Sequence, residues 1–77
     1  MRTGIILTFN LVSQSGVIKD HNDQKIRFRM EGYFQNFKRF DVVQYEISMG
    51  NSGLVAVDVK MVRDKRGEKV NLCALSN

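Results

Sequence analysis

Polar and apolar residues alternate along most of this chain with a period of two, and the three- and four-residue spacing of an amphipathic helix nowhere persists beyond a turn. The pattern predicts an all-β domain. The first segment, Gly4-Ile5-Ile6-Leu7-Thr8-Phe9, is apolar on both faces, so at least one side meets something other than water. Gly16-Val17-Ile18-Lys19 reads as a short second strand. The polar turn-formers Asp20-His21-Asn22-Asp23-Gln24 join it to a third, Lys25 to Met30, and the pair predicts a hairpin. In that third strand Ile26, Phe28 and Met30 point one way and Lys25, Arg27 and Arg29 the other, giving a core face and a cationic face.

Glu31 to Arg39 mixes Tyr33, Phe34, Phe37, Lys38 and Arg39 without a period, which predicts a loop or one short helical turn over an end of the fold. Asp41 opens a fourth strand in which Val43, Tyr45 and Ile47 alternate with Gln44, Glu46 and Ser48. After the turn Met49-Gly50-Asn51-Ser52-Gly53 comes a fifth, Leu54 to Val62. Its simple alternation sets Val55, Val57, Val59 and Met61 on one face and Ala56, Asp58 and Lys60 on the other. Residues 1–62 thus form the expected domain. Residues 63–77 follow as a charged C-terminal extension, of which Arg63 to Lys69 reads as a solvated tail or linker.

Five short strands without helices cannot shield an open sheet on both faces, whereas a closed barrel buries one face and removes most edges. The expectation is a five-stranded antiparallel Greek-key OB-fold barrel. A chain of 77 residues holds one core, and 43% hydrophobic against 26% charged residues is a globular balance. The single cysteine, Cys73, rules out an internal disulfide framework and, with one histidine, a cysteine-based zinc site. No stretch approaches the roughly 18 apolar residues of a membrane span, so the chain is expected to be soluble and cytoplasmic with no membrane partner.

Twelve Lys and Arg against eight Asp and Glu give a net charge of +4, which leans towards a polyanionic partner. Arg27 and Arg29 share a strand face with Lys25, and Lys19 comes near if the second and third strands pair. Guanidinium groups bind phosphate and also stack on bases, while the plain alternative is a solvated strand face. Phe37-Lys38-Arg39-Phe40 interleaves rings with cations: Phe37 reads as core, and Lys38 and Arg39 as an extension of the basic surface. Ile5, Leu7 and Val17 supply a second candidate surface, for a homodimer or another protein partner. Its alternative is cover by Val70, Leu72, Ala74 and Leu75 folding back. His21 sits alone in a polar turn, and no Ser, His and carboxylate stand at a catalytic spacing, so neither enzymatic activity nor a cofactor is expected.

The opening Gly4-Ile5-Ile6-Leu7-Thr8-Phe9-Asn10 resembles that of bacterial cold-shock domains, Gly-Lys-Val-Lys-Trp-Phe-Asn. The spacing continues: Ser13 to Ile18 aligns with Lys-Gly-Phe-Gly-Phe-Ile, Ile26 to Met30 with Val-Phe-Val-His-Phe, and Gly50-Asn51-Ser52-Gly53 with Gly-Asn-x-Gly. Val57-Asp58-Val59 falls on the family's Ala-Asn-Val, and the likeness spans roughly residues 4–62, mostly at framework positions. The resemblance implies an OB-type barrel that binds single-stranded nucleic acid by stacking bases on aromatic rings. Where the family carries those rings, this chain has Thr8, Ser15, Val17, Arg27, Arg29 and Met30, with Phe9 and Phe34 left from the set. The resulting expectation is a weak, low-specificity binder of single-stranded RNA or DNA. Arg27 and Arg29 contact bases or phosphates, Phe9 and Phe34 stack, and Lys19, Lys25, Lys38 and Arg39 steer the backbone. The alternative is a cold-shock-like scaffold that has shed nucleic-acid binding and uses Ile5, Leu7 and Val17 against a protein.

Overall fold

A computed structural model describes residues 1–30, 35–51 and 53–72. Five strands, β1 (Arg2–Asn10), β2 (Ser15–Asp20), β3 (Lys25–Arg29), β4 (Val42–Gly50) and β5 (Gly53–Met61), close into a barrel. The strand order is β1-β2-β3-β5-β4 and back to β1, consistent with an OB-fold-like barrel. Four seams are antiparallel; the fifth, between β3 and β5, is parallel and holds only Arg27↔Val55 and Phe28↔Ala56. No helix among the described residues is long and apolar enough to cross a membrane.

The period-two reading holds where the strands are regular. In β3, Ile26 and Phe28 are buried and Lys25, Arg27 and Arg29 exposed. In β4, Val43 and Tyr45 are fully buried and Ile47 packs against the core. The β2–β3 hairpin forms as expected around Asp20, whose Oδ1 accepts hydrogen bonds from the backbone N–H groups of Asn22 (2.8 Å) and Gln24 (2.9 Å). An aspartate that bonds the backbone a few residues ahead fixes such a turn locally.

Two bulges break the alternation, and both change which side chains face out. On β1, Ile6 pairs with Ile18 and Thr8 with Val17, so Leu7 is an extra residue opposite β2. Ile6 and Phe9 therefore both turn inward, three positions apart, which accounts for a strand that reads as apolar on both sides. On β5, Lys60 pairs with Gln44 but Val57 with Glu46, leaving one extra residue on β5. Asp58, at φ 54°, sits in that step. The expectation that Val55, Val57, Val59 and Met61 share one face is thereby corrected: Val59 is buried and Met61 packs on the core, but before the bulge Ala56 turns in and Val57 turns out. Gly16 lets β1 and β2 approach at the first bulge, since a Cβ there would collide with the Thr8 carbonyl oxygen.

Of the charged segment that follows the fifth strand, residues 63–72 turn back onto the barrel. Asp64 Oδ1 accepts from the N–H groups of Arg66 (2.8 Å) and Glu68 (3.0 Å), and the Arg63 guanidinium donates to the Gly67 carbonyl (2.8 Å). This tight turn brings Arg63 opposite Lys69, and the returning chain bonds to the start of β4 and the residues before it: Val42 N–H donates to Val70 O (2.9 Å) and Leu72 N–H to Phe40 O (3.0 Å). Val70 and Leu72 thus fold back, whereas Ala74 and Leu75 lie outside the described residues.

Asp41 joins these pieces. Its carboxylate is fully buried. Oδ2 accepts from Lys38 N–H (2.8 Å) and the Lys69 ammonium (3.3 Å), and Oδ1 from the Asn71 amide (2.7 Å). Its own carbonyl accepts from Ile6 N–H of β1 at 2.9 Å. By contrast the buried Tyr45 hydroxyl and Asp20 Oδ2 find no hydrogen-bond partner among the described residues, although the Arg2 guanidinium lies 4.0 Å from that oxygen. Burial pushes the Tyr45 phenol pKa above its usual value, with the Asp20 charge adding to the rise and Arg2 opposing it.

Removing the Asp41 carboxylate would take the acceptor from the Lys38 N–H and from one N–H of the Asn71 amide, whose Nδ2 keeps its bond to the Arg39 carbonyl, and a lost bond of this kind costs about 1–3 kcal/mol. Asp41→Ala is therefore expected to lower stability by about 3 kcal/mol, and Asp41→Asn, which keeps one acceptor oxygen, by about half of that. Urea unfolding of the two variants beside the parent checks the order; an Asp41→Ala midpoint equal to the parent's would contradict it.

Candidate functional site

The outward face of β1, β2 and β3 is built from three cross-strand rows. Strand pairing sets Ile5, Lys19 and Lys25 in one row, Thr8, Val17 and Arg27 in the next, and Asn10, Ser15 and Arg29 in the third. The middle row continues through Arg27 to Val55 on β5. Four of the cations expected at the site, Lys19, Lys25, Arg27 and Arg29, thus stand together on one side of the barrel. Of these, only Lys19 makes an ion pair among the described residues, to Asp23 at 3.1 Å within the hairpin turn. The Arg27 and Arg29 guanidinium groups have neither an ion pair nor a hydrogen bond there. A guanidinium that ends in water beside another of like charge is free to bind an anion.

Two shallow concavities border the arginines. One, lined by Thr8, Asn10, Ser15, Gly16 and Val17 with Arg27, follows the β1 bulge. The other is a groove of about 440 Å³ between β3 and β5, lined by Arg27, Arg29, Val55, Val57 and Asp58 over the core residues Phe28 and Met30. The groove exists because β3 and β5 stop pairing after Phe28↔Ala56. The simple alternation puts Val57 on the same face as Val59 and Asp58 on the other, and it hides this β5 wall because the bulge reverses the phase of that strand. The signal available was Asp58 itself, a charged residue inside a run of valines and of a type that tolerates positive φ.

Other expected site residues lie elsewhere or do other work. Phe9 points inward and is half-buried, its ring stacked on Phe28 at 5.9 Å and edge-on to Phe37 at 5.3 Å. Phe37 is core, as expected. Phe34, with Tyr33, lies outside the described residues. Lys38 and Arg39 belong to the segment that bonds to β1 at Ile6, so β1 and β2 stand between them and Arg27. The Arg39 guanidinium rests over the Phe40 ring, 4.9 Å from its centroid.

Ile5, Leu7 and Val17 are each half-buried and occupy different surroundings. Ile5 lies beside Val42 and Leu72 in a largely aliphatic groove, Leu7 is the bulge residue of β1, and Val17 sits in the same row as Arg27.

Compared with known proteins, the chain matches no family model and no curated sequence.

The geometry of the site separates a packing aromatic from exposed cations. Phe9→Ala is expected to destabilise the fold by about 2 kcal/mol, less than a fully buried phenylalanine because the ring is half-exposed. Arg27→Ala and Arg29→Ala are expected to stay within about 0.5 kcal/mol of the parent. Thermal or urea unfolding reads both, and a large loss in either arginine variant would mean that the guanidinium has structural work in the folded chain.

Proposed function

We propose that the protein is a binding module for single-stranded nucleic acid, RNA or DNA, that grips the strand mainly through phosphates and guanidinium stacking. The observation that carries this reading is the unpaired Arg27–Arg29 pair in the middle of a face that also presents Lys19 and Lys25. Phosphates a nucleotide apart can each meet a cation on such a face. The methyl groups of Val17 and Val55, in line with Arg27, give a base a flat apolar surface to lie on. The likeness to cold-shock domains supports the same face, because the replaced aromatic positions Ser15, Val17, Arg27 and Arg29 fall together on it. With the rings gone, stacking worth about 1–3 kcal/mol per base is largely lost, so affinity is modest, and the phosphate contacts themselves do not distinguish bases. The site needs no cofactor, and the protein works as a scaffold for binding rather than as an enzyme. The setting proposed is the cytoplasm.

A protein-docking role for Ile5, Leu7 and Val17 is the second reading. Leu72 already lines the groove beside Ile5, and Val17 lies among the cations, which favours the first.

Phosphate contacts release counterions, so affinity falls with salt in proportion to the cations engaged, about 0.7 in the log–log slope per contact on a single strand. Titration of a labelled mixed-sequence single strand at several salt concentrations is expected to give a slope of about −2 to −3 for the parent, flatter by about 0.7 in each of Arg27→Ala and Arg29→Ala. Binding that ignores salt, or that survives removal of both arginines unchanged, would rule the proposal out.

A further inference from the structure

The groove between β3 and β5 carries a feature that phosphate binding leaves unexplained. Asp58 is the one acidic group among the described residues that line it, and it is exposed beside two arginines without forming an ion pair to either. A carboxylate there repels the strand's phosphates. Its backbone is also unusual: Asp58 holds φ 54° at the β5 bulge, a left-handed conformation that a non-glycine residue adopts at a cost. Bulges re-aim side chains, and this one turns Val57 outward and sets the carboxylate at the groove while Val59 returns to the core.

We infer that this groove is a base-reading subsite with a preference for guanine, in which Asp58 and an adjacent arginine bind the two edges of one base. The inference rests on the reading of the face as a single-strand binder. A carboxylate offers two acceptor oxygens side by side. Guanine answers with two adjacent donors, N1–H and the N2 amino group, on its Watson–Crick edge. Adenine and cytosine present a single exocyclic amino group there and uracil a single ring N–H. On its other edge guanine shows O6 and N7, two acceptors that match the forked N–H groups of arginine. Arg27 and Arg29 supply that fork, and the outward Val55 and Val57 supply an apolar wall for the ring. Unstacked bases of a single strand expose both edges, so a single pocket reaches both only in that state. The groove's volume of about 440 Å³ leaves room for one base and the sugar behind it.

The test compares short uridine oligomers carrying one central guanosine, adenosine or cytidine with the all-uridine strand, by fluorescence anisotropy at low salt. The parent protein is expected to bind the guanosine strand roughly tenfold more tightly than the uridine strand, the discrimination of one good bidentate contact. Asp58→Ala is expected to bring the two within about twofold while tightening the uridine strand, because a repulsive charge has gone. Asp58→Asn, which tolerates the same positive φ and so keeps the bulge, is expected to lose the guanosine preference as well. Equal binding of all four strands by the parent, or an Asp58→Asn variant that keeps the tenfold preference, would overturn the subsite and leave the strand-binding face standing. Failure of the parent to bind any strand would overturn both.

Discussion

A buried carboxylate with all its partners inside the protein ties this barrel shut. Asp41 sits just before β4 at the junction where β1, the Lys38 turn and the returning C-terminal chain meet, and each contributes a hydrogen bond to its side chain or its backbone. An ionised carboxylate away from water is tolerated only when such partners are fixed in place. The constraint therefore runs both ways: Asp41 holds the Lys38 turn and the Asn71 amide, and those groups make its burial possible. Residues 69–71 complete the hydrogen bonding beside the start of β4, while Arg63 to Lys69 form an exposed turn that their contacts anchor to the barrel.

The surface follows from where the barrel departs from regular pleating. The Leu7 bulge brings both Ile6 and Phe9 into the core and leaves Thr8 in line with Val17 and Arg27. The Asp58 bulge brings both Ala56 and Val59 inward and turns Val57 out beside the arginines. With β3 and β5 joined by only two residue pairs, the barrel has one loose seam, and the unpaired arginines stand along it. A closed core and an open, cationic edge thus come from the same short strands.

Much of this was legible in the chain. The alternation of β3 and β4 held because each strand is regular over the stretch concerned, and Asp20 to Gln24 carried its turn chemistry in its own side chains. The outward turn of Val57 was not equally visible, because a bulge shifts phase by one residue and leaves composition unchanged. Asp41 looked like a polar strand opener. Its burial depends on Lys69 and Asn71, 28 and 30 residues away, a pairing that no local pattern announces. Of the candidate site, the four cations on β2 and β3 could be read from spacing plus one hairpin. Lys38 and Arg39 could not be placed, since their position depends on how an aperiodic loop crosses the barrel.

The account stands or falls on the outward face of β2, β3 and β5. Amide and side-chain NMR shifts recorded while a short unlabelled single strand is added would map contact residue by residue. Shifts confined to Thr8, Val17, Lys25, Arg27, Arg29, Val55 and Asp58, shrinking as salt rises, are the predicted result. A folded protein whose spectrum does not move, or moves instead around Ile5, Val42 and Leu72, would contradict the account and place its partner on the aliphatic side of the barrel.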